Sequence, residues 1–342
     1  MANFKSAPTR LPSYLLRRNH LTEEPSTMES SQQSSGISVE ALKEALSVFR
    51  SIDLNADPAK QLVKLLSTQK LASHTKVAYQ TKHAFLDSSE TIAETKDRFG
   101  TIKVKLKDDK YVDLAFNEDD VQSRLNLNTP ERPQLKYVQT MLAAPLFFKD
   151  NDDLQNILII GHGGGTIAKY YADFYPNKNK VVVDIRPALF DISKAYFNYS
   201  PDKNTSLVSS DASVFLNKSR TAKDKYDIIN IDIFFDGPAD IQLNHYFWDN
   251  VSNVLSTEGI SVTNVWKGDH IEKYSKILEN HLSVFNTVFE ISNSDTFQVA
   301  LFGSNIPYEV LMHPYVYIKA IEMTGLTAVD FKTHLNNMRR IK

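Results

Sequence analysis

The spacing of apolar residues changes three times along the chain. Between 38 and 52, Val39, Leu42, Ala45, Leu46 and Phe49 recur at helical intervals, with Ser38 as N-cap. Residues 58–69 repeat the pattern with Leu62, Leu65 and Leu66. From 76 to 115 the period falls to two. Residues 101–107 alternate apolar and basic, Asp108-Asp109-Lys110 makes a turn, and 111–116 returns. This is the signature of a β-hairpin with one buried and one wet face. Lys103, Lys105 and Lys107 then read as a charged, solvated face or as protection of an edge strand. An apolar helix is expected over 133–148.

Beyond 155, short apolar runs alternate with helical patterns. Strands are expected at 156–160, 180–185, 205–209, 226–232, 259–265, 285–292 and 296–302. Helices fall between them near 166–175, 187–198, 211–219, 243–256 and 269–282. Such βαβ alternation requires a mostly parallel sheet covered on both faces. Only Asn293-Ser294-Asp295 separates the last two strands, too few residues for a crossover, so they form an antiparallel hairpin. The segment 306–342 reads as helical with a basic end, Arg339, Arg340 and Lys342.

The first of these strands ends in Gly161-His162-Gly163-Gly164-Gly165-Thr166, four glycines in five residues before a helix. A parallel strand ending this way gathers backbone N–H groups and a helix N-terminus where no Cβ intervenes, a place for a nucleotide-like ligand. The spacing is neither that of a dinucleotide fingerprint nor of a phosphate loop, which ends in G-K-[ST]. Asp184 ends the second strand, about twenty residues on, where a carboxylate reaches ribose hydroxyls. Asp211 follows the third strand and reads equally well as a contact to the adenine edge and as a helix N-cap. Asp232 ends the fourth strand, facing the crevice above the loop, placed to accept a proton from an attacking amine. Asp236 is a candidate second polar contact. Phe234 and Phe235 read as pocket walls or as core. The ring of His162 packs beside the ligand, a general base being the alternative. Trp266, Lys267, His245 and Tyr246 lie on or near loops able to shape a substrate pocket.

Composition narrows the classes. The 342 residues are 42% apolar and 23% charged, with net charge −2 and a pI near 6.5, so no basic field calls for nucleic acid. The absence of cysteine removes disulfides, thiolate catalysis and zinc–sulfur sites. No apolar run approaches the ~20 residues of a membrane span, and no metal is expected. The first residues lack the apolar core of a secretory signal. Cytoplasmic residence is expected; Lys5, Arg10, Arg17 and Arg18 precede the first acid, Glu23, a bias that makes organelle import through this basic arm the alternative.

Together these residues resemble the spermidine synthase-like family of polyamine aminopropyltransferases. The resemblance covers about residues 76–303. It rests on the β-hairpin, Val121-Gln122, Pro130-Glu131, Tyr137, the G-H-G-G-G-T loop, Val183-Asp-Ile-Arg-Pro, Ser210-Asp211-Ala212 and Ile231-Asp232. It implies a Rossmann-like S-adenosylmethionine-dependent methyltransferase fold: a mostly parallel seven-stranded sheet ending in an antiparallel hairpin. The expected domains along the chain are a disordered arm and linker (1–37), a helical extension (38–72), a small β-hairpin domain (73–132), a nucleoside-binding domain (133–305) and a C-terminal helical segment (306–342).

In that family decarboxylated S-adenosylmethionine binds at the glycine loop and its aminopropyl group passes to an amine. By position the loop residues Gly161, His162, Gly163, Gly164 and Gly165, with Gln122, Asp184, Ile185, Asp211 and Ala212, would hold the nucleoside and its tail. Asp232 would activate the amine. Tyr137, Phe234, Phe235, Asp236 and Trp266 would face the acceptor.

The chain departs from the family's pattern where polyamine ammonium groups are held. The family's G-G-G-D-G-G has its aspartate where Gly164 stands, its Tyr-His-Glu reads Tyr137-Val138-Gln139, and its D-S-S-D reads Asp232-Ile-Phe-Phe-Asp236. The expectation is a transferase using S-adenosylmethionine or its decarboxylated form on a small amine or other nucleophile, with the polyamine-site acids largely lost. Methyl transfer to another substrate and a non-catalytic binding protein are the alternatives. No nucleic acid or membrane partner is expected, and the resemblance implies a homodimer.

Overall fold

The computed structural model describes residues 89–116, 120–233, 240–268, 270–292 and 297–342. The expected arm and linker (1–37), the helical extension (38–72), residues 73–88 and the turn at 293–295 lie outside the described residues. So do Phe234, Phe235 and Asp236.

Strands β1 (Ser89–Asp97), β2 (Gly100–Lys107), β3 (Tyr111–Phe116) and β4 (Asp120–Asn126) form one sheet in that order. The hairpin expected from the alternation is β2–β3, with Val104 opposite Leu114 and Lys105 opposite Asp113. Ile102, Val104 and Leu106 are buried, while the three lysines between them are half-buried. Asp108 and Asp109 turn the chain with φ of 54° and 49°, the left-handed pair that a tight hairpin needs. Because β2 has a neighbour on each side, edge protection is not what the lysines do. Asp113, 4% exposed, faces Arg124 across β3–β4 and takes two bonds of 2.6 Å from its guanidinium. That bidentate pairing lets a carboxylate sit inside a sheet.

The second sheet is built from β5 (Asn156–Ile160), β6 (Asn179–Asp184), β7 (Thr205–Ser209), β8 (Tyr226–Ile231), β9 (Leu255–Trp266), β10 (Thr287–Ser292), β11 (Gln298–Ser304) and β12 (Met338–Arg340). Its order is β12-β10-β11-β9-β8-β5-β6-β7. The five strands from β9 to β7 are parallel, and β11, β10 and β12 alternate in direction. Apolar residues on both faces of each central strand dictate this burial. Ile157 and Ile159 of β5 enter one core, and Leu158 and Ile160 enter the other.

Helices α2 (Thr166–Phe174), α3 (Ala188–Tyr196), α4 (Ala212–Ala222), α5 (His245–Val254) and α6 (Ile271–Val284) connect the strands. The seven expected strands are present, and an eighth, β12, adds to β10. Three residues, two of them arginines, carry no strand pattern. A buried carboxylate holds them: Glu290, 2% exposed, accepts from Arg339 at 2.7 Å and from Tyr274 and Lys267. Before β12 the segment forms α7 (Tyr308–Leu311), α8 (Tyr315–Thr327) and α9 (Phe331–Asn336). The single helix expected over 133–148 is instead α1 (Lys136–Met141) followed by a 3₁₀ turn, Ala144–Phe147. Pro145, which has no N–H and crowds the preceding turn, breaks it.

Candidate functional site

From β5 the chain winds outward through β6 and β7, then returns to lay β8 on the other side of β5. The connections after β5 and β8 therefore diverge, and a crevice opens above their carboxyl ends, where open α/β sheets bind ligands. The glycine loop forms its floor. Gly161 N–H donates to Val183 O at 2.8 Å, and Asp232 N–H to Ile160 O at 2.8 Å, locking loop and β8 to the ends of neighbouring strands. Gly161 has φ of +94°, and a Cβ there would run into the carbonyl oxygen of Asp232. No other residue fits this approach.

A cavity of about 300 Å³ occupies the crevice, roofed by the small sheet. Of the residues singled out in the sequence, Gln122, Tyr137, Gly161, His162, Gly163, Asp184, Ile185 and Asp232 line it. Gly164, Gly165, Asp211, Ala212 and Trp266 are not in its lining. Asp211 caps α4, accepting the N–H groups of Ser213 at 2.9 Å and Val214 at 3.2 Å. The ring of Trp266 rests 6.0 Å from that of Phe297. Lys267 is tied to Glu290, and His245 lies beside Asp249 in α5.

Asp184, 9% exposed, takes a backbone N–H on each oxygen, from His162 at 2.7 Å and Arg186 at 2.8 Å. Burial raises its pKa, and these bonds, with the charge of Arg186, oppose the rise. The carboxylate thus fixes the loop and keeps lone pairs for a ligand hydroxyl. Asp232 sits deep in the crevice, where solvent reaches it through the cavity. Asn264 Nδ2 donates to one oxygen at 2.9 Å, and Tyr137 Oη lies 3.3 Å from the other. Burial pushes Asp232 up to about 6, against the pull of those two bonds and with help from the charge of Asp184. The Tyr137 hydroxyl also lies 3.3 Å from Gln122 O, so it bridges the small sheet and β8. Burial and Asp232 raise its pKa, which keeps it a proton donor.

His162 is packed between Phe190 and Tyr199, with ring centroids 5.1 and 5.0 Å away. Its Nε2 lies 2.7 Å from Ser193 Oγ, and burial, then the charge of Lys194, lowers its pKa to about 3. A ring held neutral in this way packs; it does not titrate near neutrality.

Five residues at the site were given no role by the sequence alone. Arg186, 4% exposed, clasps Asp97 at 2.9 and 3.0 Å and Gly100 O at 3.0 Å, and lies 4.5 Å over the Phe116 ring. It pins the β1–β2 turn beside the cavity. Ser123 accepts the N–H of Gly164 at 2.9 Å. Phe99 and Phe116 supply apolar wall. Asn264 is buried behind Asp232, and an asparagine inside the apolar run of β9 was a legible signal. Two residues of the lining keep a buried polar atom without a partner among the described residues: His162 Nδ1 and Arg186 Nη1. Unfilled donors and acceptors on a concave wall suit a polar ligand. Among the described residues no group of three candidate metal ligands gathers, and no helix is long and apolar enough to cross a membrane.

Sheet order, glycine loop and crevice define a Rossmann-like fold of the methyltransferase type carrying a ligand cavity at its switch point. The Spermine/spermidine synthase domain matches residues 135–314, and the chain belongs to that family. The polyamine aminopropyltransferase of Chromobacterium violaceum is 27% identical over 231 residues, 66% of this chain and 85% of that protein. That of Neisseria meningitidis serogroup A is 32% identical over 176 residues, 50% of this chain and 64% of that one. Among solved structures, a probable spermidine synthase from Corynebacterium glutamicum superposes with a TM-score of 0.57 at 18% identity, covering 68% of this chain and 87% of its own. Human methyltransferase-like protein 13 in complex with SAH does so with a TM-score of 0.50 at 17% identity, covering 58% and 93%. At such identities these two likenesses speak for the fold.

Proposed function

We propose that the chain is a transferase that binds S-adenosylmethionine or its decarboxylated form and transfers an aminopropyl or methyl group to an amine or similar nucleophile. One observation carries this reading: the glycine loop, Asp184 and Asp232 meet in one cavity at the switch point of the sheet. Family membership and the aminopropyltransferase relatives support the class of reaction, and a neighbour in fold binds SAH.

When bound, the sulfonium supplies an electrophilic carbon whose bond to sulfur breaks to leave a neutral thioether. The residues of the chain divide the remaining work. Asp184 accepts ribose hydroxyls while the loop N–H groups it holds keep the floor in place. Asp232 accepts the proton of the attacking nucleophile, and its pKa of about 6 leaves it ionised yet basic at neutral pH. Asn264 and Tyr137 aim its two oxygens. Phe99, Phe116 and Leu189 keep water from the reacting atoms. Alignment of nucleophile and carbon supplies most of the rate, because the leaving group is already good. The resemblance also implies a homodimer.

The test is mass spectrometry of products after incubation with each sulfonium and a panel of amines that includes putrescine. Transfer from one sulfonium is expected. The rate should fall by about a hundredfold or more in Asp232→Asn, the scale of a lost general base. In the wild type kcat/KM should climb with pH through an inflection near 6. No transfer from either sulfonium, or full activity in the variant, contradicts the proposal.

A further inference from the structure

Helix α8 is apolar on both of its faces. Val316, Ala320 and Met323 pack it against the core on one side of the large sheet, and Thr327 continues that buried line. Ile318, Ile321 and Gly325 repeat at helical spacing half a turn round, on the outside, with Tyr315, Tyr317 and Leu326 along the flanks. Ile321 is 63% exposed and Leu326 69%. Of the eleven large apolar side chains exposed among the described residues, five lie on this one helix. A helix that is apolar all round is normally a buried one, so this outer face calls for a partner.

Gly325 is a second, independent sign. A Cβ built there would meet nothing within 4 Å, and the residue lies inside the helix. Neither the backbone nor the packing of the chain requires glycine here, and glycine weakens a helix interior. What the missing side chain provides is room for another backbone to come close.

Two copies of α8 crossing antiparallel about a two-fold axis near Ile321 satisfy both observations. Ile318 of each copy lies over Gly325 of the other, and Tyr317 lies beside Leu326. The face is thus self-complementary, as a closed pair requires. At roughly 100 Å² for each exposed large side chain the patch comes to several hundred Å², and with its rim it approaches the ~800 Å² per partner of a stable interface. A lipid surface fits less well, because Glu322 borders the stripe and Lys319 is held on the carbonyl of Phe148.

We propose that the outer face of α8 is the interface between two copies of this chain, closed by Ile318, Ile321 and Gly325. The matched family domain ends at residue 314, before α8 begins, so this surface is no part of that match. The inference does not rest on the transferase reading.

Analytical ultracentrifugation of the full chain tests it. The wild type should sediment as a dimer at micromolar concentration. Ile321→Glu should weaken the pair about thirtyfold or more, the scale of a central interface residue. Gly325→Leu should weaken it too, although it adds apolar surface and helix propensity; unspecific sticking would grow instead. Both positions are exposed in the single chain, so unchanged circular dichroism is expected of each variant. The chain has no cysteine, so a short bismaleimide should join Ile321→Cys into a covalent dimer and leave Lys332→Cys, on α9, as single chains. A wild type that stays monomeric at every concentration overturns the proposal. So does a dimer untouched by both Ile321→Glu and Gly325→Leu, or one that Gly325→Leu strengthens. Each of these results leaves the cavity and the transferase reading standing.

Discussion

Asp232→Asn should make the protein more stable at the cost of its proposed activity. The wild-type carboxylate is buried in the crevice with a pKa raised from 3.8 to about 6. A group whose folded pKa is raised favours folding least where it is ionised in both states. Its contribution is present in full below the unfolded value and is lost as pH rises through the folded one. A shift of about two units corresponds to roughly 3 kcal/mol against the folded state above pH 7, and contact with cavity water reduces it to about 1–3 kcal/mol. The asparagine avoids that cost. Its oxygen can still accept from Asn264, and its amide can donate to Tyr137, so the local bonds survive the change.

Urea unfolding of both proteins at a series of pH values reads the difference directly. The variant should be more stable by about 1–3 kcal/mol at pH 8, by about half of that at pH 5, and by a few tenths at pH 4. Other titrating groups are common to both proteins and cancel in the comparison. Stability curves that run parallel from pH 4 to 8, or a variant weaker at pH 8, would refute the claim that Asp232 is held as a desolvated base.

Two further predictions concern the loop and the core. Gly164→Asp restores the family's aspartate, yet it should destabilise the protein by about 1–3 kcal/mol in chemical denaturation, because Ser123 and Phe197 occupy its place. A variant as stable as the wild type would show that they yield freely. Acid should also weaken the fold through two buried neutral histidines, His162 and His281, whose pKa values are lowered by burial to about 3 and about 4. Their contribution is complete above the unfolded value of about 6.5 and is lost as pH falls toward those folded values. The thermal midpoint of His281→Gln should accordingly drop less between pH 6.5 and 4.5 than that of the wild type.

How much of this was legible depended on how local each signal was. The strand–glycine–helix unit at 156–174, the alternation of β2 and the crossovers after β5 are written in runs of neighbouring residues, and a period of two or 3.6 reveals them. Strand β12 was invisible because three residues carry no period, and its hold on the sheet comes from Glu290, 49 residues upstream of its partner Arg339. Pro145 was legible as a helix breaker and was outweighed by the apolar run around it. Within the site, the strand-end acids stood out because topology puts strand ends together. Ser123 did not, since its partner lies 41 residues away and a serine in a strand announces no role; Asn264 was marked only by being polar in an apolar run, and its partner lies 32 residues away. Asp211 caps α4 through Oδ1, one of the two readings its place after the third strand offered.

The central claim is that the cavity holds an adenosyl thioether or sulfonium with its ribose on Asp184. Isothermal titration of the wild type and of Asp184→Ala with methylthioadenosine, which lacks the tail, tests it most directly. The account predicts one saturable site per chain in the wild type. It also predicts a loss of about 1–3 kcal/mol in the variant, the worth of hydrogen bonds to a buried charge. A wild type that does not bind, or a variant with unchanged affinity, would contradict it.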